Sequence, residues 1–190
     1  MARYHGITDD TYRRLIIDAG AVYLNYGETD ERLIGATRGG NSFAVETEYR
    51  EMVVDGAKGP VKGSRRITRV VAKLTANIIE FTPEVWVLMF PGSTQEDYPE
   101  VTPTHTQIKR ALAISDDDYP VNIALVGQVS GSEDAIVCII NNPLVDSNIE
   151  VGMADNDEGV VAVTFTAHFD PDTLDTEPWE IRWPEVTTED

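Results

Sequence analysis

Apolar and polar side chains alternate along most of this chain with the period of β-strands. Residues 15–17 and 21–25 form two short apolar runs joined by Asp18-Ala19-Gly20, and a polar turn follows at 27–32. Residues 42–54 predict a long amphipathic strand: Phe43, Val45, Thr47, Tyr49 and Val53 point one way, while Ser42, Ala44, Glu46, Glu48 and Arg50 point the other. Asp55-Gly56 ends it with turn chemistry. Residues 66–81 alternate again, with Val70, Ala72, Leu74, Ala76 and Ile78 on the apolar face and Arg69, Lys73, Thr75 and Asn77 on the polar one. Two such strands about a loop at 57–64, which has little hydrophobic content, predict a long protruding hairpin.

Thr82-Pro83-Glu84 then reads as a helix start, with Thr as N-cap, Pro at the first helical position and an acid in the first turn. The helix over residues 83–90 is short and apolar, is stopped by Pro91-Gly92, and is expected to pack on a sheet. Met89, Trp86 and Phe90 on it read as core contacts rather than as a cofactor pocket. Residues 93–106 are polar, contain Pro99 and Pro103, and predict a loop. Strands return at 121–129 and 135–141, flanking the turn Ser130-Gly131-Ser132-Glu133-Asp134. Residues 159–169 alternate with Val161, Val163, Phe165 and Ala167 inward; Trp179, Ile181 and Trp183 share one face of a last short strand. The fold class is mainly β with one short flanking helix. Residues 1–190 read as one domain, with an N-terminal arm at 1–12 and a polar tail at 185–190.

Charge changes this picture. The net charge is −18, and it is unevenly spread. Through Gly92 the chain carries 12 acidic and 12 basic residues; beyond it, 21 acidic residues face only Lys109, Arg110 and Arg182. Such a surface repels nucleic acid and anionic membranes at ordinary salt, although excess acid also serves solubility alone. The single cysteine, Cys138, lies in the apolar run 135–140 and reads as a small core hydrophobe with no intrachain disulfide. The first residues show no apolar signal region, and no apolar run reaches the length of a membrane span. A cytoplasmic product without a membrane anchor is expected.

Catalytic patterns are missing from the sequence. There is no G-x-S-x-G and no Walker spacing in the Gly- and Lys-rich stretch 56–64. His5, His105 and His168 lie far apart, and His168 reads as a surface residue on the polar side of its strand. Asp155-Asn156-Asp157-Glu158-Gly159 resembles part of a calcium loop, but that alignment puts Ala154 and Phe165 at ligand positions; a solvated turn is the better reading. Asp170, Asp172 and Asp175 read as an acidic turn. No catalytic residue, cofactor or metal is expected.

One composite pattern goes further. Asp18-Ala19-Gly20-Ala21-Val22-Tyr23 is followed by Leu33-Ile34-Gly35-Ala36-Thr37-Arg38-Gly39-Gly40 and a strand with Phe43 and Val45. Next come Asp55-Gly56, Gly59-Pro60-Val61-Lys62-Gly63, and a second long strand ending Glu80-Phe81-Thr82-Pro83. In this order the segments, about a third of the chain, resemble the tail tube, or major tail, protein of siphoviruses, long-tailed bacteriophages. The resemblance implies a β-sandwich or half-barrel core with one flanking helix. It implies subunits that form rings, usually hexameric, whose sheets join into a barrel around a channel, and rings that stack into the tube for genome ejection. It also implies a place in the virion tail after assembly in the host cytoplasm. The partners implied are the chain itself and tape measure, tail tip and tail terminator proteins, with DNA passing through unbound.

The residues suit that plan. An exposed hairpin edge must be covered or paired, and a closed ring pairs every edge. Lys58, Gly59, Pro60, Val61, Lys62 and Gly63, with Arg65 and Arg66 at the base, form a candidate inter-subunit loop, its charge opposite to that of the acidic half; a plain solvated hairpin tip is the alternative. Glu46 and Glu48 are candidate channel-lining residues, although Arg50, Arg69 and Lys73 share their face. Two other functions compete. One is a secreted or virion-surface carbohydrate-binding β-sandwich using Tyr98, Trp179 and Trp183, with or without calcium; the other is a β-rich glycan hydrolase using two carboxylates.

Overall fold

The computed structural model describes residues 5–98 and 104–186, so Met1 to Tyr4 of the expected arm, positions 99–103 of the expected loop and positions 187–190 of the expected tail lie outside the described residues. In chain order the strands are β1 (Ile16–Leu24), β2 (Arg32–Leu33), β3 (Ser42–Glu51) and β4 (Arg65–Ile78), then helix α1 (Pro83–Met89). They continue with β5 (Ser93–Tyr98), β6 (His105–Arg110), β7 (Asn122–Val129), β8 (Ala135–Asn141), β9 (Leu144–Val145), β10 (Val161–Thr166) and β11 (Trp179–Arg182).

The strands form a five-stranded sheet of order β11-β8-β7-β1-β2, a four-stranded sheet of order β3-β4-β10-β9, and the separate hairpin β5-β6. Every named pair is antiparallel. The two larger sheets face each other as a sandwich, without closing into a barrel. Their shared core takes Val22, Leu24, Ile123 and Ile140 from one sheet and Ala72, Leu74, Ala76, Ile78, Val161, Val163 and Phe165 from the other. These are the positions that strand alternation selects, because successive side chains point to opposite faces of a sheet. Across the β4–β10 pair, Leu74 stands opposite Phe165 and Ala76 opposite Val163, so a small residue meets a branched one and a large one meets a ring.

Helix α1 closes one end of this core. The Thr82 side chain accepts a hydrogen bond from the Val85 amide, as an N-cap does, and Val85 and Met89 are buried against the sandwich.

Four expectations need correction. Asp18-Ala19-Gly20 does not separate two runs; it is an irregularity inside the single strand β1, where the register with β7 shifts between Ile17 and Ala21. Asp18 and Gly20 both have positive φ there, and a Cβ on Gly20 would sit 2.9 Å from the Val126 carbonyl oxygen. Residues 93–106 are not a loop throughout, because Ser93–Tyr98 pairs with His105–Arg110 over six residue pairs. Their polar sequence hid the hairpin, since neither face enters the sandwich core. Val53 does not continue the inward face of β3, which ends at Glu51; Val53 is 90% exposed. His168 is half-buried rather than on the open surface: its Nδ1 lies 3.1 Å from the Asn142 carbonyl oxygen and its ring meets Tyr119 edge-on at 5.2 Å.

Candidate functional site

The surface that stands out is the far half of the β3–β4 hairpin. On β4, burial begins only at Val70, and on β3 it fades after Thr47. Beyond these points the two strands stay paired, with Glu48 opposite Arg69, Tyr49 opposite Ile67, Arg50 opposite Arg66 and Glu51 opposite Arg65. The hairpin therefore projects past the sandwich as an arm exposed on both faces. Tyr49 and Ile67, 58% and 56% exposed, form an apolar cross-strand pair in the open, and the Arg65 guanidinium lies 6.0 Å from the Tyr49 ring centroid.

The tip of the arm is ordered by its own backbone. The Met52 amide donates to the Ser64 carbonyl at 3.0 Å, the Ala57 amide to Val54 at 3.2 Å, and the Ser64 amide to Val61 at 3.0 Å. The resulting turns need Gly56 and Gly63 at positive φ. They leave Met52, Val53, Val54 and Val61 exposed beside Lys58, Lys62, Arg65 and Arg66. All eight positions expected to form an inter-subunit loop are thus exposed at one end of the molecule. Met52, Val53 and Val54 lie outside those eight positions, and periodicity does not reveal them as an exposed cluster, since it assigns Val53 and its neighbours to a strand that has already ended.

β3 is also an edge. Among the described residues its one strand partner is β4, so every second amide and carbonyl along ten residues points away from the sheet. Glu46 and Glu48 lie on the exposed face of this edge strand, where Lys73 Nζ donates to Glu46 at 3.0 Å and Arg69 Nη1 donates to Glu48 at 3.2 Å. The carboxylates are compensated within the subunit.

A second feature lies at the other end of β4. Phe81, Trp86 and Phe90 stack in series, with centroids 5.1 Å and 6.2 Å apart. Their outer faces line a groove of about 790 Å³ between α1 and the β5–β6 hairpin, walled by Pro83, Ser93, Thr106, Ile108 and Arg110. Arg110 is tied down, its Nε donating to the Pro91 carbonyl at 3.1 Å. Beside the groove, sharing Pro83 and Thr106 with it, is an acidic rim of Glu84, Glu96 and Asp97. The Glu84 carboxyl is held below the usual carboxylate range by its own backbone amide and by the Thr82 hydroxyl.

The residues considered for other chemistry do not converge. Trp179 turns inward onto Phe43, with ring centroids 6.1 Å apart, which removes it from any platform with Tyr98 and Trp183. Residues 155–158 of the 155–159 turn are exposed, and the turn is clamped by Arg38, whose guanidinium donates to Asp157 at 2.8 Å and also to Glu158. The Arg38 guanidinium, by its hydrogen bond and its charge, holds the Asp157 carboxyl below its ordinary range. Among the described residues, no group of three or more His, Cys, Asp or Glu side chains is placed to hold a metal ion. No helix there is long and apolar enough to cross a membrane.

No family model matches the chain, and no curated protein matches it. Among solved structures, it is similar to a chain in the structure described as the virion of a native gene transfer agent particle, at a TM-score of 0.45 and 9% identity over 80% of this chain and 92% of that one. It is similar also to a chain in the tail of an empty gene transfer agent particle, computed with helical refinement and C6 symmetry, at a TM-score of 0.44 and 8% identity over the same shares.

Proposed function

We propose that this protein is a non-enzymatic structural subunit that polymerises into rings, six-fold in the simplest arrangement, and that the rings stack into a phage-type tail tube. The observation that carries this reading is the β3–β4 arm: an extended hairpin outside the core, with a free ten-residue edge and an apolar, basic tip. An edge of that length is an open template for pairing with another chain, and closure into a ring satisfies it in every subunit at once. The acid-rich C-terminal half supports a conduit that duplex DNA traverses without adhering. Glu46 and Glu48 belong to the channel wall in this proposal, with Lys73 and Arg69 beside them making that wall polar and locally neutral. Tape measure, tip and terminator proteins are the expected partners at the tube's core and ends, and the virion tail is the expected location.

The test is negative-stain microscopy of the purified full chain across a concentration series. Rings or tubes of uniform width are expected. Monodisperse single particles at every concentration, together with saturable glycan binding, would assign the fold to a carbohydrate-binding module instead.

A further inference from the structure

The basic, apolar arm tip and the acidic, aromatic groove are complementary surfaces at opposite ends of one strand. β4 begins at Arg65, directly after the tip, and ends at Ile78, just before Phe81 and α1. At ~3.3 Å per residue its 14 residues hold tip and groove on the order of 40 Å apart, so no copy can fill its own groove. The geometry points to a second copy of this chain as the occupant: Met52, Val53 and Val54 of one subunit seat against Phe81, Trp86 and Phe90 of the next. This inference rests on the tube reading and names the contact that joins one ring to the next.

Two observations carry it. The tip exposes Val53 at 90% and Val54 at 62%, while the groove offers stacked aromatic faces, and burying one against the other removes apolar surface from water on both sides. The charges match in place as well as in sign, with Lys58 and Lys62 flanking the tip valines and Glu84, Glu96 and Asp97 flanking the groove. The contact is heterologous, joining two different patches, and its two halves lie at opposite ends of the subunit. Such a contact does not close on itself and propagates along the strand axis, which is the geometry of stacking.

The test uses the full chain with Cys138→Ala, so that the only thiols are those introduced by Val53→Cys and Thr106→Cys. Both positions are exposed, and Thr106 lines the groove. Oxidation of assembled protein should give a ladder of dimers, trimers and longer species, since each copy links to the next. Independently, Lys58→Glu with Lys62→Glu should lower tube yield about tenfold, and adding Glu96→Lys with Asp97→Lys should restore it to within about twofold. Tubes that assemble without a ladder, or a double charge swap that fails to restore yield, overturn the groove as the receptor and leave the tube reading standing. Oligosaccharide binding abolished by Trp86→Phe, with no ladder, also overturns it and gives the groove to a sugar. A parent protein that forms neither rings nor tubes, and no ladder, removes both.

Discussion

Glu48 and Arg69 face one another across the β3–β4 pair, with Arg69 Nη1 donating to Glu48 Oε1 at 3.2 Å. Both side chains are about two-thirds exposed. Exposed cross-strand pairs of this kind contribute ~0–1 kcal/mol, and salt screens them. Glu48→Gln should therefore leave the thermal midpoint of the isolated subunit within about 4 °C of the parent's. A larger fall would show that the arm is coupled to the core, against its exposure on both faces.

The core makes the opposite prediction. Phe165 is 1% exposed and lies between Leu74 on one side and Val145 on the other in the four-stranded sheet. Phe165→Ala removes a ring from close-packed surroundings and should cost about 3–5 kcal/mol, read from the denaturant midpoint at unchanged slope.

Loop and fold should separate cleanly. The segment 57–63 is exposed throughout and contributes nothing to the buried clusters. Replacing it with a short Gly-Ser link should leave the circular dichroism spectrum and melting temperature nearly unchanged, because shortening a surface loop alters closure entropy only slightly. Tubes should fail to form. Tubes of normal length from the shortened protein would make the loop a plain hairpin tip.

Asp118 gives a pH dependence whose sign follows from its contacts. Its carboxylate accepts from the Ser115 amide at 2.6 Å, the Ser115 hydroxyl at 3.0 Å and the Gly92 amide at 3.0 Å. The Ser115 amide is the largest influence holding its pKa below the ordinary value. A depressed carboxylate contributes stability that is fully present above its unfolded pKa and is lost as pH falls through the folded one. The loss therefore belongs below about pH 4. Asp118→Asn should lower the melting temperature at neutral pH and flatten its decline between about pH 4 and pH 2. An acid limb as steep as the parent's would show that other carboxylates carry it.

The thiol of Cys138 offers a simple check on the sandwich. It stands between Leu125 and Ile181 in the five-stranded sheet, half-buried, and that burial pushes its pKa up. Its reaction with an aromatic disulfide reagent at pH 8 should be slow in the folded protein and fast after denaturation. Equal rates in the two states would place β11 off the sheet edge.

By itself the sequence determined the inward faces of β4 and β10 and the start of the helix. Alternation has a period of two residues, so Leu74, Ala76 and Ile78, or Val161, Val163 and Phe165, had to share a buried face wherever their strands went. Thr82-Pro83 marked a helix start because the cap and the missing amide are local chemistry. The long hairpin and its exposed basic loop were legible for the same reason, as neighbours in sequence. Other features depend on residues far apart in the chain. Only the tertiary structure decided that Trp179 packs on Phe43, that Arg38 clamps Asp157 and Glu158, and that β5 and β6 pair and wall one side of the aromatic groove. Periodicity reports which way a side chain points from its own strand. What it meets there is set by long-range pairing and packing, which also left one end of β4 apolar and basic and the other aromatic and acidic.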